Sequence, residues 1–224
     1  MDMSRTHLFT AILRNGIKRN RSLPKKAPLD GAAGANQATR GNHIIALGGI
    51  CCNFKKEILP YKKFEMWTRL LCWDRKWFYL ITHFVKPGVG KPESWTLQPW
   101  RKTRTPTKDV SEEELLKSVY CTAIAKYVIK RGRITVPPEQ ALIDADMVPV
   151  KPEGWVWRDV EENGAANGVL PKPVEGTEWN WDIIEAERRR GLKVAEKFAE
   201  MDGMHSFFDG GKNGALGEFP DLFL

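Results

Sequence analysis

The groups in this 224-residue chain that can carry acid–base, nucleophilic or metal chemistry include four histidines and four cysteines. The histidines, His7, His43, His83 and His205, are far apart in sequence, and no His-Glu-x-x-His pair sets two imidazoles on one helix face for zinc. Cys51 and Cys52 are adjacent, while Cys72 and Cys121 stand alone, so no paired spacing makes a zinc site or a disulfide framework. The four thiols read as small buried hydrophobes in a reducing compartment, Cys51 and Cys52 on opposite faces of a strand. There is no Gly-x-Ser-x-Gly elbow. Gly211-Lys212 lacks the upstream glycine and following hydroxyl of a phosphate loop, and Gly88-Val89-Gly90 lacks the third glycine of a dinucleotide turn. Both clusters read as turns. His7 lies beside Arg5 in a helical stretch, where it can polarise a carbonyl or remain a surface residue.

Composition sets the frame for these residues. Nine Trp, ten Phe and four Tyr can build a core. Apolar runs are short and broken by charge, so no segment spans a bilayer and no secretory signal is visible. The net charge is +7. Residues 1–133 carry 26 Lys and Arg against 10 Asp and Glu, and residues 134–224 carry 9 against 18. A basic first half fits nucleic acid, an anionic surface or an anionic substrate such as a coenzyme A thioester, or it attracts the acidic second half. The stretch from Arg14 to Lys26 lacks interleaved aromatics, which argues against single-strand binding; nucleic acid is not the expected partner.

The elements that must position any site follow from patterning. Ser4 caps a predicted helix to about Asn15, with Leu8, Ala11, Ile12 and Asn15 at helical spacing. Residues 17–42 read as a basic, then Gly- and Ala-rich loop. Strands are predicted over 43–58, 63–73, 76–86 and 118–130. Phe64, Met66, Thr68, Leu70 and Cys72 are expected on one face of the second. Asp74-Arg75 forms a tight hairpin. Residues 87–110 read as a long insertion, and Pro138 as the first residue of a short helix. The cluster Trp67, Trp73, Trp77, Phe78 and Tyr79 straddles the hairpin and either packs or lines an acyl tunnel. Residues 149–181 read as irregular, Asp182 as the cap of a helix to about Met201, and 209–224 as a tail anchored by Leu216, Phe219, Leu222 and Phe223.

Several runs, taken in order, carry a resemblance. They are Ser4-Arg5-Thr6-His7-Leu8, Asn53-Phe54-Lys55-Lys56-Glu57-Ile58-Leu59-Pro60-Tyr61, Glu65-Met66-Trp67-Thr68-Arg69 with Trp73-Asp74-Arg75-Lys76-Trp77, Ala125-Lys126-Tyr127-Val128, and Ile134-Thr135-Val136-Pro137-Pro138-Glu139. Together they resemble the fungal thioesterase-like family of the hotdog superfamily, related to the 4-hydroxybenzoyl-CoA thioesterases. The C-terminal runs Ile184 to Gly191 and Phe208-Asp209-Gly210-Gly211 resemble its fungal branch.

The resemblance implies an α+β hotdog fold, an antiparallel sheet wrapped around one central helix, over residues 1–148, with residues 149–224 as a C-terminal extension on that core. It implies a cytoplasmic homodimer with the active site between subunits, and no metal or redox cofactor. The substrate it implies is an acyl or polyketide thioester on coenzyme A or a carrier protein, in fungal secondary metabolism. A carboxylate serves as base or nucleophile, and N–H groups at the helix N-terminus polarise the carbonyl. The family's usual acid lies on a strand before the helix, whereas this chain starts at the helix, as if the first strand were missing. Asp2 and His7 are then the candidate catalytic residues. The alternative is a catalytically silent hotdog that binds an acyl chain or scaffolds the pathway.

Overall fold

β-Branched and aromatic residues at alternating positions dictate a sheet, and the computed structural model shows how it is ordered. The structure describes residues 2–16, 43–90, 111–131, 133–156 and 180–208. The predicted loop at 17–42, most of the insertion at 87–110, most of 149–181 and the tail anchors of 209–224 lie outside the described residues.

The elements run α1 (Asp2–Ile12), β1 (His43–Phe54), β2 (Glu65–Trp73), β3 (Phe78–Val85), α2 (Glu112–Ser118), β4 (Val119–Arg131), β5 (Ile134–Val136), α3 (Pro138–Asp144) and α4 (Trp181–Ala199), which continues as a 3-10 helix over Glu200–Phe207. The chain is α+β, and the sheet is antiparallel, in the order β1-β4-β3-β2. β5 pairs with β4 at Ile129, Lys130 and Arg131, beyond the point where β3 begins opposite Tyr127. This architecture is compatible with a hotdog.

The two sheet faces carry different cores. Phe78 and Leu80 of β3 join Ala125, Tyr127 and Ile129 of β4 under Phe9, Ile12 and Leu13. On the opposite face Tyr79 gathers Cys72, Ala195 and Phe198, with Trp77 and Ile124 against them. The hairpin aromatics are therefore divided: Trp73 and Phe78 lie in the α1-side core, Trp77 and Tyr79 on the other face.

Five local expectations change. Ser4 sits inside α1, and its hydroxyl bonds Thr68 instead of capping the helix. The buried stripe of this segment is Arg5, Phe9, Ile12 and Leu13, because Phe9 offers more apolar area than Leu8 or Ala11. A bulge at Leu71 breaks the pairing between Leu70–Leu80 and Cys72–Tyr79, so Cys72 turns to the face opposite Leu70. The hairpin spans Asp74–Trp77, where the Asp74 carboxylate accepts from the N–H groups of Lys76 and Trp77, both at 2.6 Å. Further along, Pro138 does open α3, but Asn180, not Asp182, caps α4 by accepting from the Ile183 N–H at 3.0 Å.

α4 bends the molecule's two cores together. Its first turns place Trp181 and Ile184 in the α1-side core, and its later turns place Ala195 and Phe198 on the other face. Midway, Gly191 lies so close to β2 that an added Cβ would stand 2.5 Å from the Leu71 carbonyl oxygen.

Candidate functional site

The N-terminal half of α1 lies over β2, where a helix terminus offers unpaired N–H groups. Its first turn brings Ser4 to the sheet, and the Ser4 and Thr68 hydroxyl oxygens are 2.8 Å apart. Thr68 is in turn 3.1 Å from Thr82 on the next strand. Thr82 is fully buried. Register explains this meeting, because Thr68 and Thr82 are directly paired across β2 and β3. The result is a chain of three hydroxyls from the helix into the core.

Beside it, Arg5 is only 1% exposed and donates from Nη1 to the Tyr127 hydroxyl at 3.3 Å. One turn on, Phe9 meets Phe78 and Tyr127 edge to face, with ring centroids 5.7 and 5.1 Å apart. This end of α1 thus presents the half-buried Ser4 and Thr68 hydroxyls and the positive end of a helix, with Arg5 and Thr82 buried beneath them. Such an array can donate to a carbonyl oxygen and stabilise negative charge developing on it.

The two candidates taken from the sequence sit differently. Asp2 is the first residue of α1, and nothing is described of its side chain. His7 is exposed. Five helical positions separate them by about 140° around the axis, so the helix does not set them on one face. The residues the sequence reading passed over are Ser4, Arg5, Thr68, Thr82 and Tyr127. The available signal was Arg5 four residues before Phe9, on the stripe that continues to Ile12 and Leu13.

His83 lies on the far face of the sheet, its Nδ1 3.0 Å from the Thr122 hydroxyl. Burial, followed by the nearby Arg69 charge, pushes its pKa below the usual histidine value. Among the described residues no group of three or more His, Cys, Asp or Glu side chains could hold a metal ion. No helix among them is long and apolar enough to cross a membrane.

Against this geometry, sequence comparison adds a chemical class. The chain is 28% identical over 222 residues to the probable thioesterase atnL of Emericella nidulans, covering 99% of this chain and 66% of that protein. It is 31% identical over 228 residues to the thioesterase poxG of Penicillium oxalicum, covering 97% and 66%. These relatives support a thioesterase family. The thioesterase lcsJ of Purpureocillium lilacinum matches too, at 26% identity over 90% of this chain and 59% of that protein. The chain therefore spans just under two thirds of the length of the first two thioesterases. No family model and no solved structure matches the chain.

Proposed function

We propose that the chain is the hotdog part of a thioesterase-like protein that hydrolyses or releases an acyl or polyketide thioester, on coenzyme A or a carrier protein, in fungal secondary metabolism. The observation that carries this is similarity along 97–99% of the chain to proteins named thioesterases. The open antiparallel sheet with α1 on one face supports the hotdog reading. In this reading residues 1–148 form the hotdog and 149–224 an extension, of which α4 clasps β2.

The thioester carbonyl then sits at the N-terminal end of α1. The helix N–H groups and the Ser4–Thr68 hydroxyls polarise it, and Arg5 fixes Tyr127 beneath. Asp2 is the proposed base or nucleophile, and His7, which the helix turns to another face, is proposed only as a surface group outside that step. Four free cysteines support a reducing cytoplasm as the setting.

The alternative is a silent acyl-binding or scaffolding protein. Thiol release from a panel of acyl-CoA and carrier-bound thioesters separates the two readings. Release abolished by Asp2→Asn supports the enzyme. No release, from this chain or from the longest protein encoded at its locus, overturns it.

A further inference from the structure

The face of the sheet away from α1 holds a groove of about 660 Å³ between the strands and the last turns of α4. Its floor is Ile81 and Ile124, and its wall is Val194, Phe198 and Met201. Val194 is 51% exposed and Met201 37%, so apolar surface remains open to solvent here. Lys197 and Lys55 stand among the lining residues, Lys55 already donating one hydrogen bond to the Leu116 carbonyl at 2.9 Å, and no carboxylate does among the described residues. Lys126, just beyond, is neutralised by Asp202 at 2.5 Å and covered by Trp77 and Phe198. Asn53 and Thr122 are neighbours in register and add an amide and a hydroxyl to the lining.

A trough with an apolar floor, two lysines and no opposing carboxylate matches one ligand chemistry: a single apolar chain ending in an anion. Its volume lies within the range of small-molecule sites. Its position is separate from the end of α1, since Ile124 and Phe198 belong to the core on the opposite sheet face from Phe9.

We infer that this outer groove binds the carboxylate form of a medium- or long-chain fatty acid, its chain along Ile81, Ile124 and Val194 and its head toward Lys55 and Lys197. Thr122, shared with His83, and Asn53 supply neutral polar contacts at the same end of the strands. The site takes the free acid and not the thioester, because nothing in the groove repeats the helix terminus and hydroxyl chain of α1.

The test is titration of the full chain with dodecanoate, below its micelle concentration, by calorimetry. Saturable binding is expected. Lys197→Glu reverses charge on an exposed helix position and Val194→Asp puts a carboxylate in the wall, each weakening binding about tenfold or more. Dodecyltrimethylammonium, with the same chain and opposite charge, is expected to bind at least about tenfold more weakly. Unchanged melting temperatures show that both variants fold. Absence of dodecanoate binding, equal affinity in both variants, or equal affinity for the cationic amphiphile overturns the inference. So does a change in sedimentation on Val194→Asp without a change in dodecanoate affinity, which assigns the groove to a second copy of the chain. Thioester hydrolysis measured in parallel distinguishes failure of this site from failure of the thioesterase reading.

Discussion

Cysteine chemistry shows how far neighbouring residues diverge once folded. Cys51 pairs with Ile124 and Cys52 with Ala123, which puts them on opposite faces as strand alternation requires. The expectation that all four thiols are buried fails at Cys52, which is exposed, and in part at Cys51, which is half-buried, because β1 is an edge strand among the described residues. Cys72 is fully buried, and burial first, with the Arg188 charge opposing, pushes its pKa up to about 12. Its thiolate is about a thousandfold rarer than that of an ordinary thiol. A maleimide reagent followed by peptide mass mapping should therefore label Cys52 first and Cys51 more slowly. Cys72 and Cys121 should react only after unfolding. Labelling of Cys72 at the rate of Cys52 would contradict the packing.

Glu185 makes a second argument at this scale. It is buried, which disfavours its charge, yet Arg188 donates to it twice at 2.7 Å and Arg189 once at 2.9 Å. The guanidinium hydrogen bonds win and hold its pKa below the usual carboxylate value. The ionised form is thus favoured in the folded state. Its stabilisation is complete above the ordinary value of 4.5 and is lost as pH falls through the lower native value. Glu185→Gln should cost about 2 kcal/mol at neutral pH in urea unfolding. The difference from the parent should shrink on acidification below 4.5. The Glu185–Arg189 pair is readable from its i,i+4 spacing. Its burial is not, because that depends on Arg188 also reaching the Trp73 carbonyl on β2 at 2.9 Å.

At the scale of elements, α4 and its 3-10 continuation are held by contacts that the sequence conceals. The helical period of 181–199 was readable, but Gly191 reads there merely as a weak helix former. Its reason is the Leu71 bulge, whose carbonyl occupies the place of a side chain. Gly191→Ala should lift α4 from β2 and destabilise the fold by about 2 kcal/mol, read as a lower urea midpoint. The bulge itself was not legible, since alternation from Phe64 to Cys72 runs unbroken in sequence. At the far end, Lys126 is 4% exposed and Asp202 62%. Removing the exposed partner strands a buried ammonium, whereas removing the buried lysine leaves a carboxylate free to hydrate. Asp202→Ala should therefore lower the melting temperature more than Lys126→Met. The reverse order would show that the aliphatic stem under Trp77, and not the charge, matters.

Across the whole molecule, which residues of β3 and β4 share a face is readable from alternation, because Phe78, Leu80 and Thr82 and the facing β4 residues repeat every second position; the sheet order is not, because alternation within a strand does not choose its neighbours. The hydroxyl chain is not readable either. Ser4 lies 64 residues from Thr68, and only packing of α1 on the paired strands joins them. The same topology leaves β1 as an edge. On it, Leu47 and Ile50 pair with Tyr127 and Ala125 of the α1-side core, yet they are 48% and 42% exposed. An apolar edge strand of twelve residues invites a partner strand. If the homodimer that the sequence resemblance implies forms here, β1 of each copy supplies it, and sedimentation should give about twice the 25.5 kDa of one chain. Ile50→Lys sets a charge on that edge and should shift the protein to monomer while sparing its melting temperature at low concentration, because the side chain is already partly hydrated. If the site is shared between copies, thiol release should fall with the dimer fraction as enzyme is diluted. Activity per chain that is independent of concentration in a dissociating variant would place the whole site within one copy, at the α1 terminus and its hydroxyls alone.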